Sequence, residues 1–120
     1  MKVLVCGGRD YNKYFVIYDS LDKLEITPTL IISGEARGAD SWAKQWANDR
    51  NIKYKGYPAD WNLYGAKAGY YRNKQMLEEG NPELLVAFPG GKGTKMMTSL
   101  ADNALIPVIY AGKWDGSYFE

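Results

Sequence analysis

The 120-residue sequence contains no histidine. That removes Ser-His-Asp catalysis, His–Cys pairing and His-ligated zinc. A single cysteine, Cys6, excludes an intrachain disulfide and a cysteine metal cluster, which fits a reducing, cytoplasmic setting. Excess charge is missing too: 15 Lys and Arg against 14 Asp and Glu leave a net +1. That is too little to grip a phosphate backbone by charge alone, so nucleic acid is not the expected partner. No apolar run approaches the ~20 residues of a membrane span. The apolar start at 3–6 is interrupted by Gly7 and Gly8 and is too short for a signal peptide. The length predicts one domain over 1–120, with the tail 112–120 unassigned. No metal or cofactor is expected.

What the chain has in quantity is 13 Gly, 10 Tyr and 4 Trp. Short apolar runs alternate with amphipathic stretches. Strands are predicted at 3–6, 30–32, 52–57, 84–88 and 107–110. Helices are predicted at 14–25, along the Ala39, Trp42, Ala43, Trp46, Ala47 stripe, at 67–79 with Gly80 just past its end, and along Met97, Leu100, Ala101 and Ala104. Strands alternating with helices imply a mostly parallel sheet covered on both faces. The expected fold is an α/β, Rossmann-like three-layer sandwich with five strands in the order 3-2-1-4-5. Its switch point, between the first and fourth strands, is where open α/β sheets bind ligands.

Four loops follow the carboxyl ends of predicted strands, at 7–11, 33–40, 58–61 and 89–94, and three are glycine-rich. Glycine lets backbone N–H groups approach a ligand, and a helix N-terminus behind the loop favours an anion. Such a site binds phosphate without much net charge. Neither the Walker A spacing nor a GxGxxG fingerprint is present. Arg9 and Arg37 are placed to fork onto phosphate or carboxylate oxygens. Asp40 either complements a helix dipole or holds ribose hydroxyls. Asp10 either caps the first helix or touches a ligand. Thr94 either caps the fourth helix or donates to a phosphate oxygen. Tyr11, Trp61 and Tyr64 flank these loops and offer rings on which a base can stack. Trp42 and Trp46 fit the core better, and Cys6 reads as an inert core thiol. The rings of Trp114, Tyr118 and Phe119 cover either their own sheet edge or a second copy, and self-association as a dimer is expected.

Gly7-Gly8-Arg9-Asp10-Tyr11, Ser33-Gly34 with Ala36-Arg37-Gly38-Ala39-Asp40, Asp60-Trp61, Gly69 with Arg72, Asn73 and Met76, and Pro89-Gly90-Gly91-x-Gly93-Thr94 run in order along the chain. Together they resemble the YspA/YpsA-related branch of the SLOG superfamily over roughly residues 3–110. The resemblance implies a Rossmann-like fold that binds a nucleotide or nucleotide-derived ligand, as a sensor, carrier or sequestering protein. The loops at 7–9 and 89–94 would cradle phosphate, with charge from Arg37 and Arg72. It also extends to the LOG phosphoribohydrolases, whose signature is Pro-Gly-Gly-x-Gly-Thr-x-x-Glu with an upstream Arg. Pro89 to Thr94 fits that signature and Arg72 matches the Arg, but the Glu position is Met97. Methionine can neither accept a proton nor stabilise an oxocarbenium-like centre, so binding without hydrolysis is expected. The alternative is a phosphoribohydrolase using Arg72 with a carboxylate from another loop, Asp40 or Asp60 foremost. Single-stranded nucleic-acid binding of the DprA type is a second alternative, weakened by the near-zero charge.

Overall fold

In a computed structural model that describes residues 1–114, five parallel strands form one sheet in the order β3-β2-β1-β4-β5. The strands are β1 (Lys2–Cys6), β2 (Leu30–Ser33), β3 (Lys53–Gly56), β4 (Leu84–Ala87) and β5 (Val108–Tyr110). The central strand β1 pairs Val3 with Ile31 on one side and with Leu84 on the other. Because side chains alternate along a strand, each face of the sheet has its own core. Val3, Val5, Ile31 and Val86 face α1 (Tyr14–Asp22) and α2 (Ala39–Asp49), where Ile17, Leu21, Ala43, Trp46 and Ala47 close the layer. Leu4, Cys6, Ile32, Leu85 and Ala87 face the opposite way, onto Met76 of α4 (Ala68–Gly80) and Met97 and Ala101 of α5 (Lys92–Asn103). The result is the three-layer α/β sandwich expected from the alternation. No helix among the described residues is long and apolar enough to cross a membrane.

The strands differ from the sequence expectation by one residue at an end or at both ends, and the helices differ in ways that have local reasons. The first helix ends at Asp22 rather than at 25. Lys23 closes it by donating to the Asp19 carbonyl, and the chain then turns so that the Thr29 N–H reaches the Met1 carbonyl at 2.9 Å. Tertiary pairing at the foot of the sheet overrides the helical periodicity there. Gly80 lies inside α4, not beyond it. Asn81 takes the left-handed position instead, with φ 46, a conformation its short polar side chain tolerates. A Cβ at Gly80 would meet Ile32 Cδ1 at 3.0 Å, so the glycine serves the approach of α4 to the sheet. The fourth predicted helix begins earlier, at Lys92, which makes Thr94 its third residue. The stretch between the loop at 58–61 and the helix expected from 67 forms α3 (Trp61–Tyr64) and a 3-10 turn, Gly65–Lys67, so that α4 starts at Ala68. Asp60 caps α3, its Oδ1 accepting the Leu63 N–H at 3.0 Å.

Trp114 packs against the core on the α4/α5 face. Its indole N–H donates to the Ala111 carbonyl at 2.8 Å, and its ring meets Tyr110 edge-on. Tyr118 and Phe119 lie outside the described residues.

Candidate functional site

A cavity of about 410 Å³ opens over the carboxyl ends of β1 and β4, where the sheet order reverses direction. That volume falls within the usual range for small-molecule sites. The loop after β1 contributes Gly7, Gly8 and Arg9. Ala36 and Asp40 enter from the loop and first turn after β2. Trp61 comes from α3. Helix α4 supplies Gly69, Tyr70, Arg72, Asn73 and Met76, Gly91 stands at the N-cap of α5, and α5 supplies Gly93, Thr94, Met96 and Met97. A second groove of about 390 Å³ adjoins it and shares Arg9, Ala36, Trp61 and Arg72, adding Gly34, Glu35 and Arg37.

Asp40 is the buried carboxylate of the cavity. Only 6% of it is exposed, and it accepts the Ala36 N–H at 3.2 Å. Burial pushes its pKa up to about 6, against the opposing pull of that hydrogen bond and of Arg72. Arg72 crosses from α4 to the β2 loop. Its Nη1 donates to the Gly34 carbonyl, and its Nε donates to Asn73 Oδ1 at 2.9 Å. Burial lowers the Arg72 pKa, and Asp40 counters it. The Asn73 amide N–H faces Met96 Sδ at 3.7 Å. The guanidinium of Arg9 lies 5.3 Å from the centre of the Trp61 ring, within cation–π range. The floor is apolar and soft, with Val5, Cys6, Met76 and Met97 all buried. Burial raises the Cys6 thiol above its ordinary range, as an inert core thiol requires.

The sequence-predicted residues divide by place. Gly7, Gly8, Arg9, Asp40, Trp61, Arg72, Asn73, Gly91, Gly93 and Thr94 come together in the main cavity. Gly34 and Arg37 line the adjoining groove. Arg37 is exposed and pairs with Asp10 at 3.2 Å, so Asp10 neither caps α1 nor lines the cavity; Lys13 stands at the α1 N-terminus without a side-chain cap. Ser33 is buried, 2.6 Å from the Tyr54 hydroxyl. Gly38 packs beneath the β1 loop. Pro89 accepts the Gly8 N–H at 2.9 Å, and Gly90 is buried against Gly8 and Thr94. Asp60 is committed to its cap and faces a different depression on the outside of α4. Tyr11 packs on Phe88 and Tyr64 on Tyr71. The rings that border the cavity are Trp61 and Tyr70, 49% and 40% exposed. Tyr70 escaped the sequence reading because nothing in a periodic stretch of α4 marks which tyrosine faces the loops.

The glycines of the loop at 89–94 are not equivalent. A Cβ at Gly90 would sit 2.7 Å from the Gly8 nitrogen and overlap Thr94 Oγ1, whereas one at Gly91 meets nothing within 4 Å. Gly90→Ala is therefore expected to cost about 1–3 kcal/mol of stability, and Gly91→Ala almost none. Thermal unfolding of the two variants checks this; equal losses would show that the 89–91 loop relaxes freely.

Residues 1–64 match the YspA, cpYpsA-related SLOG family (YAcAr). The chain belongs to that family, and membership suggests a nucleotide-related function. Among similar proteins is the Gene 61 protein of Mycobacterium phage D29. It is 36% identical over 121 residues, covering 92% of this chain and 96% of that one.

Proposed function

We propose that the protein binds a nucleotide or nucleotide-derived ligand in the switch-point cavity and acts as a sensor, carrier or sequestering protein. The observation that carries this reading is the convergence, in one cavity, of the glycine-lined α5 N-terminus, the guanidinium groups of Arg9 and Arg72, and the buried carboxylate of Asp40. Backbone N–H groups at Gly91 and Gly93, with the Thr94 hydroxyl, suit phosphate oxygens. Arg72 is fixed by two acceptors and so presents a pre-oriented charge. Asp40 suits ribose hydroxyls, as acidic groups do in other α/β nucleotide sites. Trp61 and Tyr70 offer faces for a base.

The test is calorimetry against AMP, ADP and NAD, together with mass spectrometry of small molecules carried through purification. Wild type is expected to bind at least one nucleotide, and Arg72→Ala to weaken that binding by about tenfold to a hundredfold, the loss of one charge-assisted pair of ~1.5–3 kcal/mol. Wild-type protein that neither retains nor binds any nucleotide would sink the proposal.

Asp40 favours a second reading, phosphoribohydrolase activity with a relocated carboxylate. Its pKa of about 6 suits a general acid or base near neutral pH, whereas Met97 supplies neither. Release of free base from nucleoside monophosphates, lost in Asp40→Ala, would decide for the enzyme.

A further inference from the structure

We propose that Gly34 is a positioning residue for Arg72: its bare Cα and its carbonyl form the seat on which the guanidinium rests, turned between the cavity and the adjoining groove. A Cβ built at Gly34 would overlap Arg72 Nη1 and lie 2.7 Å from Cζ and 3.0 Å from Nε. The Gly34 carbonyl accepts from that same Nη1. The contact thus has two parts, a flat surface and a hydrogen-bond acceptor, and only glycine provides both. Backbone geometry does not demand glycine here: Gly34 is absent from the glycines with positive φ, namely Gly38, Gly65 and Gly112. The far end of Arg72 is movable, so a methyl group at 34 displaces the guanidinium more readily than it distorts the loop.

The consequence reaches both compartments. Arg72 lines the cavity and the groove alike, and its charge opposes the rise in the Asp40 pKa together with backbone hydrogen bonds from Ala36 and from Gly34 itself, while Glu35 adds to the rise. Gly34→Ala keeps the backbone N–H, so a shift equal to that of Arg72→Ala reports the guanidinium. Asn73 holds Nε from the helix side at 2.9 Å, so the seat fixes the opposite edge of the guanidinium. Without it, Arg72 keeps a single tether next to it in sequence. Glu35, in a left-handed conformation with φ 60, folds its side chain over Gly56 in a related way: a Cβ at Gly56 would lie 2.6 Å from Glu35 Cγ. The β2–β3 edge thus provides two bare glycine surfaces under charged side chains, and Arg72 occupies the one that faces the cavity.

The inference concerns the same site as the proposed function, but its main readout needs no nucleotide. The Asp40 carboxyl is titrated by carbon-detected NMR in wild type, Gly34→Ala, Arg72→Ala and the double variant. Gly34→Ala is expected to raise the Asp40 midpoint as far as Arg72→Ala does, with no further rise in the double variant. An unchanged midpoint in Gly34→Ala, or shifts that add in the double variant, would overturn the proposal. If Gly34→Ala fails to fold, the double variant decides: folding restored by Arg72→Ala supports the conflict with Arg72, and failure of both assigns Gly34 a backbone role instead. In a second arm with ADP as probe, Gly34→Ala and Arg72→Ala are expected to lose affinity equally. An Asp40 shift without any ADP binding by wild type would keep the seat and count against the nucleotide reading.

Discussion

Gly38→Ala is expected to destabilise the protein by about 3 kcal/mol, lowering its melting temperature by roughly 10–15 °C for a chain of this size. Gly38 stands at the N-terminus of α2 with φ 77 and ψ −129, a region that L side chains avoid. Space is lacking as well. A Cβ there would lie 2.5 Å from the Arg9 carbonyl oxygen and 2.6 Å from its carbon, and closer still to the Gly8 oxygen. These are backbone atoms and cannot rotate away. Relief requires the loops after β1 and β2 to part, which breaks the hydrogen bond from the Ala39 N–H to the Gly8 carbonyl at 3.2 Å. The first of those loops carries Arg9 and the second leads into Asp40 in the first turn of α2, so nucleotide binding is expected to fall with stability. Gly93→Ala, where a Cβ meets nothing within 4 Å, serves as the control. Circular dichroism melts of the two variants decide; a Gly38→Ala melt within about 2 °C of wild type, well under ~1 kcal/mol, would show that the loops move apart cheaply.

The same contact explains what was legible in the sequence. The parallel, doubly covered sheet followed from alternation, because runs such as Val3-Leu4-Val5-Cys6 bury both faces, and the order 3-2-1-4-5 followed from the Rossmann-like topology that right-handed crossovers allow. The location of the cavity followed from topology once the loops were assigned to one edge. The division of labour among the glycines did not follow. In the sequence Gly34, Gly38, Gly90 and Gly91 look alike. In space Gly38 lies under the β1 loop, Gly34 under Arg72 and Gly90 against Thr94, while Gly91 faces open space. Each distinction is a contact between segments far apart in the chain, such as Arg72 with Gly34 across 38 positions. The early end of α1 and the Asn81 turn were hidden for the related reason that tertiary pairing and the approach of α4 to Ile32 outweigh local propensity. The cap on α3 was readable in principle: Asp60 precedes a four-residue helix that is too short to show periodicity.

Asp40→Asn is expected to stabilise the ligand-free protein at about pH 7.5 while weakening nucleotide binding by about tenfold or more, the loss of a charged hydrogen bond of ~1.5–3 kcal/mol. Burial raises the Asp40 pKa from 3.8 to about 6, so between those values the folded state holds the proton more tightly than the unfolded chain does. The raised pKa therefore costs nothing below about pH 4. The cost grows as pH rises through about 4 to 6 and is complete above that, at about 3 kcal/mol as an upper bound for two units at ~1.4 kcal/mol each. Asparagine is nearly isosteric, keeps an oxygen for the Ala36 N–H at 3.2 Å, and carries no charge to desolvate. The pull of Arg72 is already contained in that net rise, and Arg72 retains the Gly34 carbonyl and Asn73 Oδ1. The asparagine NH2 cannot accept the backbone hydrogen bond from Gly34 that also holds the carboxylate, which trims the gain to about 1–2 kcal/mol. The gain should thus be visible as a melting temperature several degrees above wild type at about pH 7.5 and should vanish near pH 4, where wild-type Asp40 is itself protonated. A variant less stable than wild type at the higher pH would mean that Arg72 more than compensates the buried charge. A gain of that kind would support the proposed ligand role of Asp40, since its neutral isostere would hold the Ala36 N–H at the α2 N-terminus as well.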